Sequence, residues 1–205
     1  MFHLDDFFVT KERSASAENN ANLPEETSSA RAIDPLNTAH LYCWLFVAGG
    51  VSGFIYELFF YRIDLGYFVK RGSTFGPWIP IYAFGAVLIF LLANHFRKHW
   101  ISVFLLSIAV TGILELGTGW VLHRFFDIRL WDYNTEIWNW GNIGGYICFR
   151  SVVLFGFAGL VVIYSVAPTV KKIIDTRFAK VSLVLAYALA GLFVLDIIVW
   201  HFVRG

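Results

Sequence analysis

Residues 100–122 read WISVFLLSIAVTGILELGTGWVL, and Glu115 is the one ionisable side chain among them. A hydrocarbon core roughly 30 Å thick is crossed by about 20 apolar residues of helix, so this run is long enough to span a membrane. The basic pair Arg97-Lys98 stands just before it. Runs of similar character lie at residues 41–60, 79–93, 143–166 and 181–203. The run at 79–93 is short for a span and begins within the Pro77/Pro80 segment. The whole chain is 58% hydrophobic and 15% charged, against roughly 45–50% and about 25% in soluble domains. Its mean hydropathy is +0.62, more apolar surface than a core of this size can hide. The surplus needs lipid, and the bilayer is the expected partner. The sequence thus predicts an all-α integral membrane protein of about five transmembrane helices, with a re-entrant or interfacial segment after the first.

Two regions follow from this pattern. Residues 1–37 include the run 14–31, rich in Ser, Ala, Asn and Glu, which cannot bury enough surface to offset its ordering entropy. They are expected to be a disordered polar tail, and residues 38–205 a multi-pass helical domain. The net charge of +1 gives no electrostatic footprint for nucleic acid. With five spans, the tail and the second and fourth loops share one side, which holds Lys11, Arg13, Arg31, Arg97, Lys98, Lys171, Lys172, Arg177 and Lys180. The other side holds Arg62, Lys70, Arg71, Arg124, Arg129 and Arg204. The basic excess places the N-terminus in the cytoplasm and the C-terminus outside a cell membrane.

The chemistry lies where charges interrupt the apolar runs, at Glu57, Glu115, Arg150 and Asp196. A charge at mid-bilayer costs about 2.5–3.5 kcal/mol on the insertion scale, so each needs a partner or water. Because helices alternate direction, all four fall in the half of the membrane that faces the first and third loops. Gly49, Gly53 and Glu57 are spaced i, i+4, i+8, and Thr111, Glu115, Thr118 and Gly119 share one face of their helix. Packing these faces would bring two carboxylates together, with Arg150 as the counter-charge. Glu57, Glu115 and Arg150 are accordingly expected in one polar cavity, as a substrate or proton site. The competing reading is a buried salt bridge that only staples helices. Asp196, with the apolar Leu192, Phe193 and Trp200 as helical neighbours, reads as a side chain reaching the interface beside His201.

The first loop, at residues 71–82, holds Gly72, Gly76, Pro77 and Pro80, which break a helix. Phe75, Trp78 and Ile79 in the same segment favour burial. Irregular backbone at membrane depth survives only against protein or water. A re-entrant segment lining the mouth of the cavity, with Arg71 at its edge and Tyr82 at its end, stands beside a plain interfacial turn as the alternative. The third loop carries Trp131, Asp132, Tyr133, Trp138 and Trp140, first of all an aromatic belt. Asp132 and Glu136, with Arg124 and Arg129, add a polar rim that suits an entrance. The histidines lack ligand spacing, no glycine-rich loop ends in Lys-Ser/Thr, and no serine sits in GxSxG. No cofactor, metal or catalytic residue is expected on these grounds.

At these same residues the sequence resembles a bacterial family labelled putative ABC transporter permease, type IV. The resemblance is carried by GxxYE at Gly53, Tyr56 and Glu57, by RGxxxGPxxPIYxFGA over residues 71–86, and by LExxTGWxL…WDY over residues 114–133. Gly145, Ile147 and Cys148 look like the family's glycine-arginine-isoleucine-cysteine stretch, with Tyr146 at the arginine position. Arg150, four residues on, is expected to replace that charge. His123 stands where family members often carry an acid. The motifs span residues 53–168, leaving the tail and the last helix outside. The resemblance implies a multi-pass membrane protein, and Glu57, Arg71, Gly76, Pro77, Pro80, Tyr82, Glu115, Trp120, Trp131 and Asp132 carry over as motif positions. It also implies a separate ATPase or other membrane subunit as partner, since this sequence has no ATPase motif.

Three functions compete. The first is a transport or permease component with the charged cavity as its site. The second is a membrane-embedded enzyme acting on a lipid or lipid-linked substrate, with Glu57 or Glu115 as general acid or base. The third is a structural or assembly subunit. A lateral opening to lipid beside a carboxylate favours the enzyme, a watery polar exit favours transport, and a dry, fully paired cluster favours the structural reading.

Overall fold

A computed structural model of the chain describes residues 35–204; most of the expected tail, and Gly205, lie outside them. The described residues form helix α1 (Pro35–Leu65), α2 (Pro80–Ala93), a 3-10 turn (Asn94–Phe96), α3 (Trp100–Phe126), α4 (Phe149–Val161), a π turn (Val162–Val166), α5 (Ala167–Ile174) and α6 (Ala179–Arg204). Helix accounts for 74% of the described residues, and there are no strands among them. Among the described residues, four helices are long and apolar enough to cross a membrane: Leu36–Leu65, Trp100–Phe126, Phe149–Ile174 and Ala179–Val203. The fifth apolar helix, Pro80–Phe96, is shorter. The protein is a multi-pass helical membrane protein.

The helices run alternately up and down, and one apolar cluster shows it. Leu41 and Leu45 near the start of α1 pack with Ile89, Phe90 and Ala93 at the end of α2, Val103 at the start of α3, and Ile163, Val170 and Ile174 at the end of the fourth rod. The Tyr164 hydroxyl donates to the Arg97 carbonyl at 2.6 Å on the same end. In lipid such contacts act through close packing, since hydrocarbon is no worse a neighbour than leucine.

Several boundaries differ from expectation. Residues 35–37, expected in the tail, are already helical. The fourth rod starts at Phe149 and not at residue 143, because Gly144 and Gly145 sit at φ +62° and +80°, closed to most side chains. Nor does that rod stop at residue 166, ahead of Pro168. The helix widens just before it into a π turn, where the Ala167 amide bonds the Val162 carbonyl, and so runs on to Ile174. A proline removes one intrahelical donor and crowds the carbonyl four residues back, and a π turn relieves that crowding.

Helix α2 supplies 14 residues, about 21 Å of length, less than a hydrocarbon core of roughly 30 Å. The non-helical chain before it reaches inward. The Ile79 amide donates to the carbonyl of Gly50 at 3.0 Å, and Gly50 is the middle residue of α1. Backbone at that depth needs every polar group met. Asp196 of α6 accepts from the amides of Phe75 and Gly76 at 2.9 and 2.7 Å and from the Trp78 indole at 2.7 Å. The buried Thr74 hydroxyl donates to the Trp78 carbonyl at 2.7 Å. Pro77 and Pro80 bring no donors to satisfy. Trp78 then stacks on the fully buried Phe193 at 4.8 Å, and the Phe193 ring fits there because Gly50 has no Cβ for it to strike. The segment dips into the bundle as the re-entrant reading expects, but it leads on into α2 and so to the opposite end rather than back to its own side. Asp196, expected at the interface beside His201, is instead its anchor, because three donors converge there.

Candidate functional site

Two guanidinium groups and three carboxyl groups gather between α1, α3, α4 and the loops. Arg71 lies in the segment before α2, and its Nε stands 3.3 Å from Glu57 Oε2 on α1. Its Nη2 donates to the Tyr61 hydroxyl at 2.9 Å, and the guanidinium lies 3.9 Å from the Tyr61 ring centre. The Tyr61 hydroxyl in turn donates to Glu136 Oε1. Glu136 Oε2 meets Arg150 Nη2 at 2.7 Å, with the two side chains only 5% and 13% exposed. Arg150 also lies 3.9 Å over the Phe60 ring, a cation–π contact strengthened by desolvation. A chain of charge-assisted contacts thus runs Glu57, Arg71, Tyr61, Glu136, Arg150.

Glu115 stands beside this chain and is bound differently. Tyr133 donates to one carboxyl oxygen and Ser151, in the first turn of α4, lies 2.9 Å from the other. Burial first, then the facing Glu115 carboxyl, pushes the Tyr133 phenol well above its ordinary value, so it remains a proton donor. The loop that delivers Tyr133 and Glu136 is folded tightly. Tyr133 N–H donates to Gly145 O at 3.0 Å, Phe149 N–H to Trp140 O at 2.8 Å, and Ile143 pairs with Ile147. Asp64 at the end of α1 accepts the Ile137 amide at 3.1 Å. These ties lay the loop over the bundle and point Glu136 inward.

Glu57, Glu115 and Arg150 line one chamber of about 30 Å³, with Tyr56, Tyr61, Tyr82, Trp131, Tyr133, Glu136 and Ser151 among the other walls. At about 10–15 Å³ per water, it has room for roughly two waters. Arg150 Nε is buried with no hydrogen-bond acceptor among the described residues. A second cavity, about 250 Å³ and mostly apolar, adjoins it between α1, α2 and α4, sharing Tyr56, Tyr82, Leu154 and Phe155 as the partition. Tyr82 stacks obliquely on Phe155 at 5.2 Å and faces Tyr56 at 6.3 Å.

The remaining sequence candidates scatter. Trp131 lines the chamber and its indole donates to Tyr146 O at 2.9 Å. Asp132 pairs with Arg129 at 2.6 Å away from the chamber walls. Burial would raise its carboxyl, but the Asn134 amide and side chain and the Arg129 guanidinium together hold it below the ordinary value. Trp120 is 48% exposed and packs edge-on to Phe125. Gly76 and Pro77 belong to the segment before α2, and Pro80 opens α2. Of residues 71–82, only Ile81 and Tyr82 line the chamber itself, with Arg71 tied to its rim. Arg150 is paired with Glu136 and not with Glu57 or Glu115, the acids that sequence reasoning set against it. Tyr146 occupies its own niche, bonded to His123 Nδ1 at 2.7 Å. Tyr61, Tyr133 and Ser151 were missed as site residues, and Glu136 was read as rim; only the WDY motif hinted at Tyr133.

Comparison with known proteins agrees with the motifs. The family model described as putative ABC-transporter type IV matches residues 44–200, which takes in α6 as well as the segments the motifs spanned. No curated protein and no solved structure matches. A match over more than half of the chain shows the family, and the chain belongs to the putative ABC-transporter type IV proteins.

Proposed function

We propose that this protein is the membrane component of a transport system, with the charged chamber as its substrate or proton site. One observation carries the reading. Ionisable groups from three long helices, the segment before α2 and the third loop are gathered about one small chamber, and Arg150 Nε there is a buried donor without an acceptor among the described residues. Burying so many charges beside apolar helices is costly, and a purely structural bundle has less expensive ways to hold its helices together. The family name supports a separate ATPase as partner. The loop charges support a cytoplasmic N-terminus, an external C-terminus and a place in the cell membrane.

A second reading has one observation in its favour. The apolar cavity abuts the carboxyl cluster, which suits an enzyme acting on a lipid or lipid-linked substrate, with Glu57 or Glu115 moving a proton.

Copurification from the native membrane, with mass spectrometry of the partners, tests the transport reading. Recovery of an ATPase subunit in fixed proportion is the expected result. Recovery of the intact protein with no ATPase, in a host where Arg150→Gln leaves its function unchanged, overturns it.

A further inference from the structure

The cavity of about 250 Å³ between α1, α2 and α4 is not part of the charged chamber and is not explained by it. Helical membrane bundles pack as densely as soluble cores, whose voids seldom exceed one water. An engineered apolar cavity of roughly 150 Å³ stays dry and takes up benzene, so this one is ample for an apolar guest.

Its walls say what kind of guest. Ala48, Gly49, Gly53, Gly85, Ala86 and Ala158 make much of the lining, which is apolar with few polar atoms. The π turn contributes Val162 and Val166, so the widening of the fourth rod lies on this wall; π turns recur at functional sites. The wall is incomplete at Ser52 and Val161, which are both exposed. Both belong to helices that cross the membrane, so the gap faces lipid chains and not water. At the far end stands the partition of Tyr56, Tyr82 and Phe155, and behind it Arg150 with its unpaired Nε.

We infer that this cavity binds one hydrocarbon chain of an amphiphile, entering between Ser52 and Val161, with a small oxygen-bearing end directed at Tyr56, Tyr82 and Arg150. The end is uncharged, a hydroxyl or carbonyl oxygen. Arg71 and Arg150 are already neutralised by Glu57 and Glu136, and Glu115 faces hydroxyl groups rather than a cation, so the chamber offers a donor without spare positive charge. The inference stands apart from the transport proposal, since a bound chain serves a transporter, an enzyme or a structural subunit alike.

A long-chain fatty alcohol carrying a mid-chain diazirine tests it on the full protein in lipid vesicles. Peptide mapping after illumination is expected to show saturable labelling on the walls of the cavity, displaced by unlabelled alcohol. Ser52→Phe and Val161→Trp, both at the exposed mouth and so of little consequence for folding, are expected to abolish that component. Labelling of the outer face of α6, at Val184 and Phe202, stays unchanged in both variants. Labelling spread over all outer faces, indifferent to competitor and to both variants, overturns the proposal and leaves only surrounding lipid. Recovery of the ATPase partner is scored on the same variants; its retention with the chain signal lost separates this site from the transport reading.

Discussion

The Asp196 carboxylate on α6 accepts the Gly76 amide at 2.7 Å and the Phe75 amide at 2.9 Å, across about 120 residues of sequence. One side chain thereby meets the backbone donors that allow a non-helical segment to lie within the bundle. Replacing Asp196 with Asn keeps one acceptor and turns an amide donor toward the Gly76 N–H or the Trp78 indole. The expected cost is about 1–3 kcal/mol, read as a lower unfolding temperature in detergent together with faster proteolysis between residues 66 and 79. An unchanged temperature and cleavage rate contradict the anchor.

The existence of this anchor was not legible in the sequence, and the reason is physical. The apolar runs, the shortness of the run at 79–93 and the glycine and proline breaks are local signals, and local signals carried the membrane helices and the irregular segment. Asp196 among Leu192, Phe193 and Trp200 carries no local signal of its partners, which lie on another loop. The same holds for Glu136. In a loop of tryptophans and charged residues it reads as rim, and only the folding of that loop against Asp64 and Gly145 turns it toward Arg150.

Arg150 is expected to couple to Glu136 more than to Glu115. Breaking a buried pair from one side costs about 3–5 kcal/mol, so Arg150→Gln and Glu136→Gln should each lower stability strongly and the double variant by much less than their sum. For Arg150→Gln with Glu115→Gln the effects should come closer to additive. Unfolding in graded denaturant measures both cycles. Equal coupling in the two would contradict the pairing.

Gly53 lies against Tyr82 so closely that a Cβ would overlap its ring, whereas nothing stands within 4 Å of a Cβ at Gly117. Gly53→Ala is therefore expected to destabilise by about 1–3 kcal/mol and to displace Tyr82 from the partition. Gly117→Ala, in the interior of α3, should be neutral or stabilising by up to about 1 kcal/mol. Thermal unfolding of the two side by side distinguishes them, and the reverse order would be fatal to this packing.

The segment before α2 has an uneven exposure pattern that labelling can read. Thr74, Trp78 and Ile79 are buried, while Phe75 is 47% exposed and Pro77 is exposed. In a background without Cys43 and Cys148, cysteines at 75 and 77 should react quickly with a membrane-impermeant thiol reagent, and those at 74, 78 and 79 slowly. A smooth fall in rate from 73 to 81 would point to an ordinary surface turn.

In the proposed function the Arg150–Glu136 pair belongs to a working site and is not merely a staple. The most direct measurement is the charge swap, Arg150→Glu combined with Glu136→Arg, compared with each single swap. Fold stability is followed by thermal unfolding, and function by rescue of a strain lacking the protein. The swap restores an ion pair across the same 2.7 Å contact but reverses the charge that each element presents to the chamber. Stability is expected to recover towards the native value while function stays lost. Full recovery of both would contradict that role and leave the pair a staple.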